Sequence, residues 1–225
     1  MPATIKKKKS YHHGSLRAAL VDSAKSIIAE RGRAEFTLRE LAKRLGVTHA
    51  ATYHHFKDKD DLLAAVAEQG YHTLRDRLIE ALAQSPEHPV VRMRAMGVAY
   101  VRFAMENHAH FRVMFGHKFA DISSYPELKA AGEATRGLMN KTLEQGQREE
   151  IYKDGDLYEL AAISWSALHG LALLMINGHF DELRGDEDID TFVLRISRHL
   201  FVGTGSESAR VGETAMMLGF DPPDS

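Results

Sequence analysis

The chain has 225 residues, 44% hydrophobic and 27% charged, a balance that excludes a disordered, collagen-like or low-complexity protein. It contains no cysteine, which removes a disulfide scaffold, a thiolate metal centre and a cysteine nucleophile together and suits a reducing cytoplasm. The formal net charge of −2 hides an asymmetry: residues 1–62 carry 13 Lys and Arg against 7 Asp and Glu, the remainder 16 against 24, so a basic head that suits a polyanion joins an acidic body.

Residues 1–10 form a basic arm containing Lys6, Lys7, Lys8 and Lys9. No apolar stretch follows them, so a signal peptide is not expected. Leu16, Leu20, Ala24, Ile27 and Ile28 recur at helical spacing up to Gly32 and predict a first helix. Thr37 with Glu40 predicts a capping box, in which the hydroxyl accepts from an early N–H and the carboxylate reaches back to the cap. The stripe Leu38, Leu41, Ala42 and Leu45 then runs to Gly46, a helix stop. Thr48 can cap a short helix extending to Phe56, and Asp58 with Asp61 marks a fourth that runs through Leu82, before Pro86 and Pro89. Further helices are predicted over residues 90–107, 109–115, 126–150, 156–177 and 187–202, with breakers near 116–125, 153–155 and 179–186 and a loose tail over 203–225. Alternating β-branched runs are lacking, so the fold class is all-α. The uncharged stretch Ala161 to Ile176 falls short of the roughly 18–20 apolar residues that cross a bilayer, so a soluble cytoplasmic protein with no membrane contact is expected.

Two short helices joined through Gly46 have the layout of a helix-turn-helix. At about 100° per residue, Val47, Ala51, Thr52, His55 and Phe56 gather on one side of the second helix, and His49, Ala50, Tyr53 and His54 on the other. Imidazoles, a phenol and a methyl turned outward suit a major groove, where they meet base edges or phosphates. The arm of Lys6 to Lys9 can enter the adjacent minor groove or lie on phosphates. Lys57 and Lys59 follow beside the next helix start, where exposed N–H groups attract a phosphate.

These residues carry a resemblance. Tyr11-His12-His13-Gly14, Phe36-Thr37-Leu38-Arg39-Glu40-Leu41-Ala42, Leu45-Gly46-Val47-Thr48 and Tyr53-His54-His55-Phe56-Lys57-Asp58-Lys59 before Leu62-Leu63 are similar to the DNA-binding domain of the TetR family of transcriptional regulators. The resemblance implies a three-helix helix-turn-helix domain over 11–63, with Arg39, Thr48, His49, Ala50, Tyr53 and His54 facing DNA and Thr37 and Lys59 on phosphates. It also implies a helical body over 64–202 that binds a small-molecule effector and forms a homodimer, with no cofactor. Thr52 departs from the family, which usually has a larger aliphatic residue there.

The body permits both roles. Ile189, Phe192, Val193, Ile196 and Leu200 form one apolar stripe, and the preceding helix is uncharged through most of its length, so these two helices from each of two chains could build a four-helix dimer interface or could complete the monomer's own core. A twofold dimer would read a palindromic operator in double-stranded DNA. Phe103, Phe111, Met114, Phe115, Trp165, His169 and Met175 are candidate pocket residues, Trp165 and His169 foremost because they share one helix face. The segments Phe111 to Gly116, Tyr125 to Leu128 and Trp165 to Gly170 resemble the C-terminal domain of a TetR subgroup marked by Trp, His and Gly.

Other functions are less well served. His108 and His110 with Glu106 have weak metal-ligand spacing and no third ligand fixed by sequence. Ser166 with His169 lacks a nucleophile elbow and an orienting acid, so enzyme chemistry is not expected. A scaffold that uses the helical body alone remains the alternative, and it would survive loss of residues 1–60.

Overall fold

Capping chemistry sets most of the boundaries. The computed structural model describes residues 13–204, and in them lie α1 (His13–Arg31), α2 (Leu38–Leu45), α3 (His49–Tyr53), α4 (Lys59–Ala83), α5 (Pro89–Glu106), α6 (His108–Gly116), α7 (Pro126–Arg148), α8 (Leu157–Ile176), α9 (Asp181–Arg184) and α10 (Ile189–Thr204). A 3-10 turn spans Ile122–Ser124, and there is no β-strand among the described residues. Side-chain oxygens of Thr37, Thr48, Asp58 and Asp156 accept from the amides of Glu40, Ala51, Asp61 and Tyr158 at 3.2, 3.3, 2.8 and 2.7 Å. Each such cap stabilises its helix by about 1 kcal/mol. Pro89 and Pro126 open α5 and α7, where a missing N–H costs nothing.

Two expectations change here. The Glu40 carboxylate serves both the Thr37 amide of the capping box and the Arg31 guanidinium, which ties α2 to α1. The recognition helix also ends at Tyr53 rather than Phe56, since the amides of His55 and Phe56 both fold back onto the Thr52 carbonyl. α9 and the 3-10 turn fall in stretches read as loops.

α4 joins head to body. Leu62 through Ala67 are all buried, a run that only a helix enclosed by α1, α5, α6 and α7 can sustain. One continuous core therefore runs from Leu16 and Leu20 in the head to Phe103 and Phe192 in the body. The boundary expected after residue 63 lies inside this helix, with no linker. α6 packs closely on α4 at Gly70, where an added Cβ would stand 2.5 Å from the Met114 sulfur.

Two residues of the stripe expected at the dimer interface, Phe192 and Val193, lie in the chain's own core. Phe192 and Val193 are 0% exposed, Ile189 and Ile196 pack against the same cluster, and α10 lies on α5. Leu200 lines a small cavity between α5, α8 and α10 that opens to solvent. Phe192 and Val193 thus have no surface to offer a second chain, while Ile189, Ile196 and Leu200 are half-buried. The apolar surface is instead on α8, where Ile163 is 52% exposed and Leu174 41%. The uncharged stretch is expected to fall short of a bilayer, but counted from Leu157 α8 is by length and composition alone apolar enough to cross a membrane, with a mean hydropathy of 1.5 over 18 residues. Its inner face packs on α5, α7 and α10.

His110 is buried on α6, its Nε2 3.3 Å from Gln69 Oε1 on α4. Burial first, and the nearby Lys25 charge second, push its pKa down to about 4. The unfolded chain therefore takes up a proton below about pH 6.5 that the folded chain refuses, and stability falls between those values with a slope of about 1.4 kcal/mol per pH unit. Urea unfolding of wild type at pH 7 and pH 5 should differ by about 2 kcal/mol more than in His110→Gln.

Candidate nucleic-acid interface and effector cleft

The reading head is built from one turn. Gly46 follows α2 with φ +66°, a left-handed conformation that bulkier residues resist, and its amide and that of Val47 close back on Lys43 and Ala42 at 3.2 and 3.0 Å. The chain is thereby turned so that Val47 packs inward and Thr48 starts α3. On the inner side of α3, Thr52 is fully buried and its hydroxyl donates to the His49 carbonyl at 2.7 Å. That internal bond explains how a threonine stands where an aliphatic side chain is usual: the hydroxyl is satisfied and the methyl packs. Phe56 is buried just below, with the Arg17 guanidinium 5.1 Å from its ring.

The outer side is open. Thr48, Ala50, Tyr53 and His54 are exposed, Tyr53 at 48%. His49 is half-buried, its ring edge-on to Tyr53 at 4.6 Å with a buried Nε2 that has no partner. The two rings brace one another beside the surface.

Charge on the head is divided by role. Arg31, Arg33 and Arg44 are spent on Glu40, Glu35 and Glu30, within the head itself. The guanidiniums hold the Glu40 and Glu30 carboxyls below the usual range. Arg39 is exposed, and Lys43 one turn later shares its side of α2. Thr37 is occupied as a cap, and Lys59 lies 5.3 Å over the Phe36 ring, so each offers a phosphate only part of its polar surface. Lys6 to Lys9 lie outside the described residues.

Of the seven pocket candidates, the structure gathers four. His169 is stacked on Phe111 at 5.1 Å, and Phe115 and Trp165 stand 4.9 and 5.2 Å from its ring. Tyr100, which sequence reasoning missed, joins them with its hydroxyl 2.7 Å from His169 Nδ1. Burial lowers the pKa of His169 and raises that of Tyr100, so a neutral imidazole and a neutral phenol share this hydrogen bond, with the tautomer of His169 setting which one donates. Phe103, Met114 and Met175 do not join this nest: they fill the core, because their sides of α5, α6 and α8 face neighbouring helices.

Phe111, Phe115 and His169 border a cleft of about 360 Å³. Leu173 and Ile176 of α8 and Arg112 of α6 complete its body side, and Gly32 to Ala34, the turn after α1, form its head side. A ligand there would touch both parts of the molecule. Beside it His117 lies 3.1 Å from Asp60, and the Lys57 ammonium stands 5.1 Å from the Tyr125 ring, so the start of α4 is fastened to the body from two directions.

The rejected chemistries find other partners. Glu106 pairs with Arg77 and His110 with Gln69, and no group of three His, Asp or Glu side chains placed to hold a metal occurs among the described residues. Ser166 is exposed, while the Nδ1 of His169 is taken by Tyr100.

Comparisons with known proteins agree with this layout. Residues 20–66 match the family model described as bacterial regulatory proteins, tetR family, and residues 93–200 the model described as tetracyclin repressor-like, C-terminal domain. An HTH-type transcriptional regulator of Mycobacterium bovis is 36% identical over 67 residues, 30% of this chain and 36% of that protein. The HTH-type regulator BetI of Rhizobium meliloti is 33% identical over 125 residues, 55% of this chain and 57% of its own. The matches thus span between about a third and about three fifths of these curated relatives' length. A solved structure of a protein of unknown function from Rhodococcus sp. RHA1 superposes with a TM-score of 0.74 at 31% identity, covering 88% of this chain and 100% of that one.

Proposed function

The chain belongs to the TetR family, and on that premise we propose that it is a one-component transcriptional regulator of the cytoplasm, a repressor that reads a palindromic DNA operator as a homodimer. The observation that carries the reading is the two-sided α3: Thr52 and Phe56 hold it from within, and Thr48, Ala50, Tyr53 and His54 are left for a major groove. Exposed Arg39 and Lys43 would meet phosphates, and the Lys6 to Lys9 run would add positive charge for the same duplex. One α3 reads few base pairs, so two heads about 34 Å apart, or a multiple of that, are needed for an operator.

The dimer surface in this reading is the outer face of α8. Ile163, Ala167, Gly170 and Leu174 repeat at i, i+4, i+7 and i+11, and Gly170 has open space where a side chain would stand. Small residues between larger ones let two such helices approach closely.

The effector is a small molecule in the cleft beside Phe115 and His169. Because that cleft touches Gly32 to Ala34 and α6 together, occupancy favours a different seating of the head and operator affinity falls by the difference in ligand binding between the two states. Trp165 is the chain's sole tryptophan and, though outside the cleft lining, stands 6.1 Å from Phe115, so its fluorescence should report occupancy through that ring.

Selection of protein-bound genomic DNA should return a twofold-symmetric motif. On that motif Tyr53→Ala should weaken binding at least about tenfold, the scale of one lost base contact, while the melting temperature stays put. A chain that recovers no motif, and keeps its function without residues 1–60, is a helical scaffold instead.

A further inference from the structure

The ring of His169 has two nitrogens, and the fold engages one of them. Nδ1 is 2.7 Å from the Tyr100 hydroxyl, while Nε2 makes no hydrogen bond among the described residues. Nε2 is not sealed away, and His169 lines the aromatic cleft, so this nitrogen is the one open to a molecule there.

Which nitrogen holds the proton follows from Tyr100. That residue is 8% exposed on α5, and its hydroxyl has no acceptor among the described residues other than His169 Nδ1. If Nδ1 donated to the phenol oxygen, the phenol proton would be stranded in the interior, which costs more than a made hydrogen bond gains. Burial raises the pKa of Tyr100, and a hydrogen bond from the Trp165 indole, which can only donate, opposes that rise at the same phenol oxygen. The phenol oxygen thus accepts from Trp165 and its own proton goes to Nδ1. Burial also lowers the pKa of His169, which keeps the ring neutral at pH 7, and a neutral ring that accepts at Nδ1 carries its proton on Nε2.

Phe111, Phe115, Leu173 and Ile176 beside that nitrogen have no side-chain acceptor. An alcohol or an ammonium would strand a donor against them, whereas a carbonyl oxygen brings none. We propose that Tyr100 is a positioning residue that holds His169 as an Nε2–H donor to the cleft, and that the effector is an apolar molecule presenting a carbonyl oxygen to that N–H. The second half rests on the effector reading above; the placement of the proton stands without it.

Long-range proton–nitrogen NMR spectra of the full chain, with His169 assigned by its loss in His169→Gln, read the tautomer directly. Wild type should show the Nε2–H form of His169 at neutral pH. Tyr100→Phe removes only the hydroxyl, keeps the ring against Phe111, and should let His169 exchange between both tautomers. A wild-type ring with its proton on Nδ1, or one that keeps the Nε2–H form alone in Tyr100→Phe, overturns the positioning role. For the ligand class, calorimetry with acetophenone and ethylbenzene compares matched probes with and without a carbonyl. Acetophenone should bind at least about fivefold more tightly, within the worth of one hydrogen bond, and Tyr100→Phe should narrow that gap. Acetophenone that binds no more tightly than ethylbenzene overturns the ligand class. Acetophenone that binds as expected yet leaves operator DNA bound supports the ligand class and overturns the effector reading instead.

Discussion

On the proposed pairing through α8, Ile163→Glu should leave a 25.1 kDa monomer with its fold intact. Ile163 is 52% exposed in the single chain and its neighbours on the same side, Ala167, Gly170 and Leu174, are apolar or small. Pairing this face across a twofold axis sets residue 163 of each chain in one patch, so the substitution buries two carboxylates of like charge near each other. Each unpaired buried charge costs several kcal/mol, which raises the dimer dissociation constant by at least about a thousandfold. Light scattering at micromolar concentration should then report monomer. Operator affinity should fall about a hundredfold or more, since the second head no longer binds as part of the same particle. The contrasting substitution is Phe192→Glu, which buries a charge in the chain's own core and should prevent folding outright. A dimer that survives Ile163→Glu with operator affinity unchanged would move the interface off α8.

The difference between those two substitutions also marks where sequence reasoning stops. A stripe such as Ile189, Phe192, Val193, Ile196 and Leu200 announces that one side of a helix is buried, but periodicity is blind to whether α5 of the same chain or a helix of another does the burying. α8 posed the opposite problem: with few charges along its length, it carried no polar side from which its outward phase could be read. The head was far more legible, because its determinants act within four residues of one another. Thr37, Gly46, Thr48 and Asp58 set starts and stops by local hydrogen bonds, and the angular sorting of α3 needs only the helical repeat. Even there the carboxylate of Glu40 also went to Arg31, a partner nine residues back that no capping motif includes. In the cleft, Trp165 and His169 were visible as one turn of one helix. Tyr100 was not, since it reaches His169 from α5 across 69 residues of chain, and neither was the turn at Gly32 that closes the head side.

Phe56→Ala should be the most destabilising single change in the reading head, by about 3–5 kcal/mol. Its ring is 1% exposed beneath α3, Arg17 lies over it, and its amide closes the helix on Thr52 at 3.0 Å. Truncation leaves a cavity that the surrounding helices can fill only in part, and α3 loses its inner support. Against a total stability of roughly 5–15 kcal/mol this is a large fraction, so the urea midpoint should fall sharply. Tyr53, three residues earlier and on the other side of the same turn, makes the complementary case: Tyr53→Ala should shift stability by no more than about 0.5 kcal/mol. Operator DNA separates the two further. Added at saturation, it should restore much of the lost melting temperature to Phe56→Ala, whose outer side chains are intact, because DNA binds only the ordered head. It should stabilise Tyr53→Ala by at least about 1.4 kcal/mol less than wild type, the tenfold weaker binding expressed as stability. If the two variants behaved alike with DNA, the division of α3 into a supporting side and a reading side would be wrong.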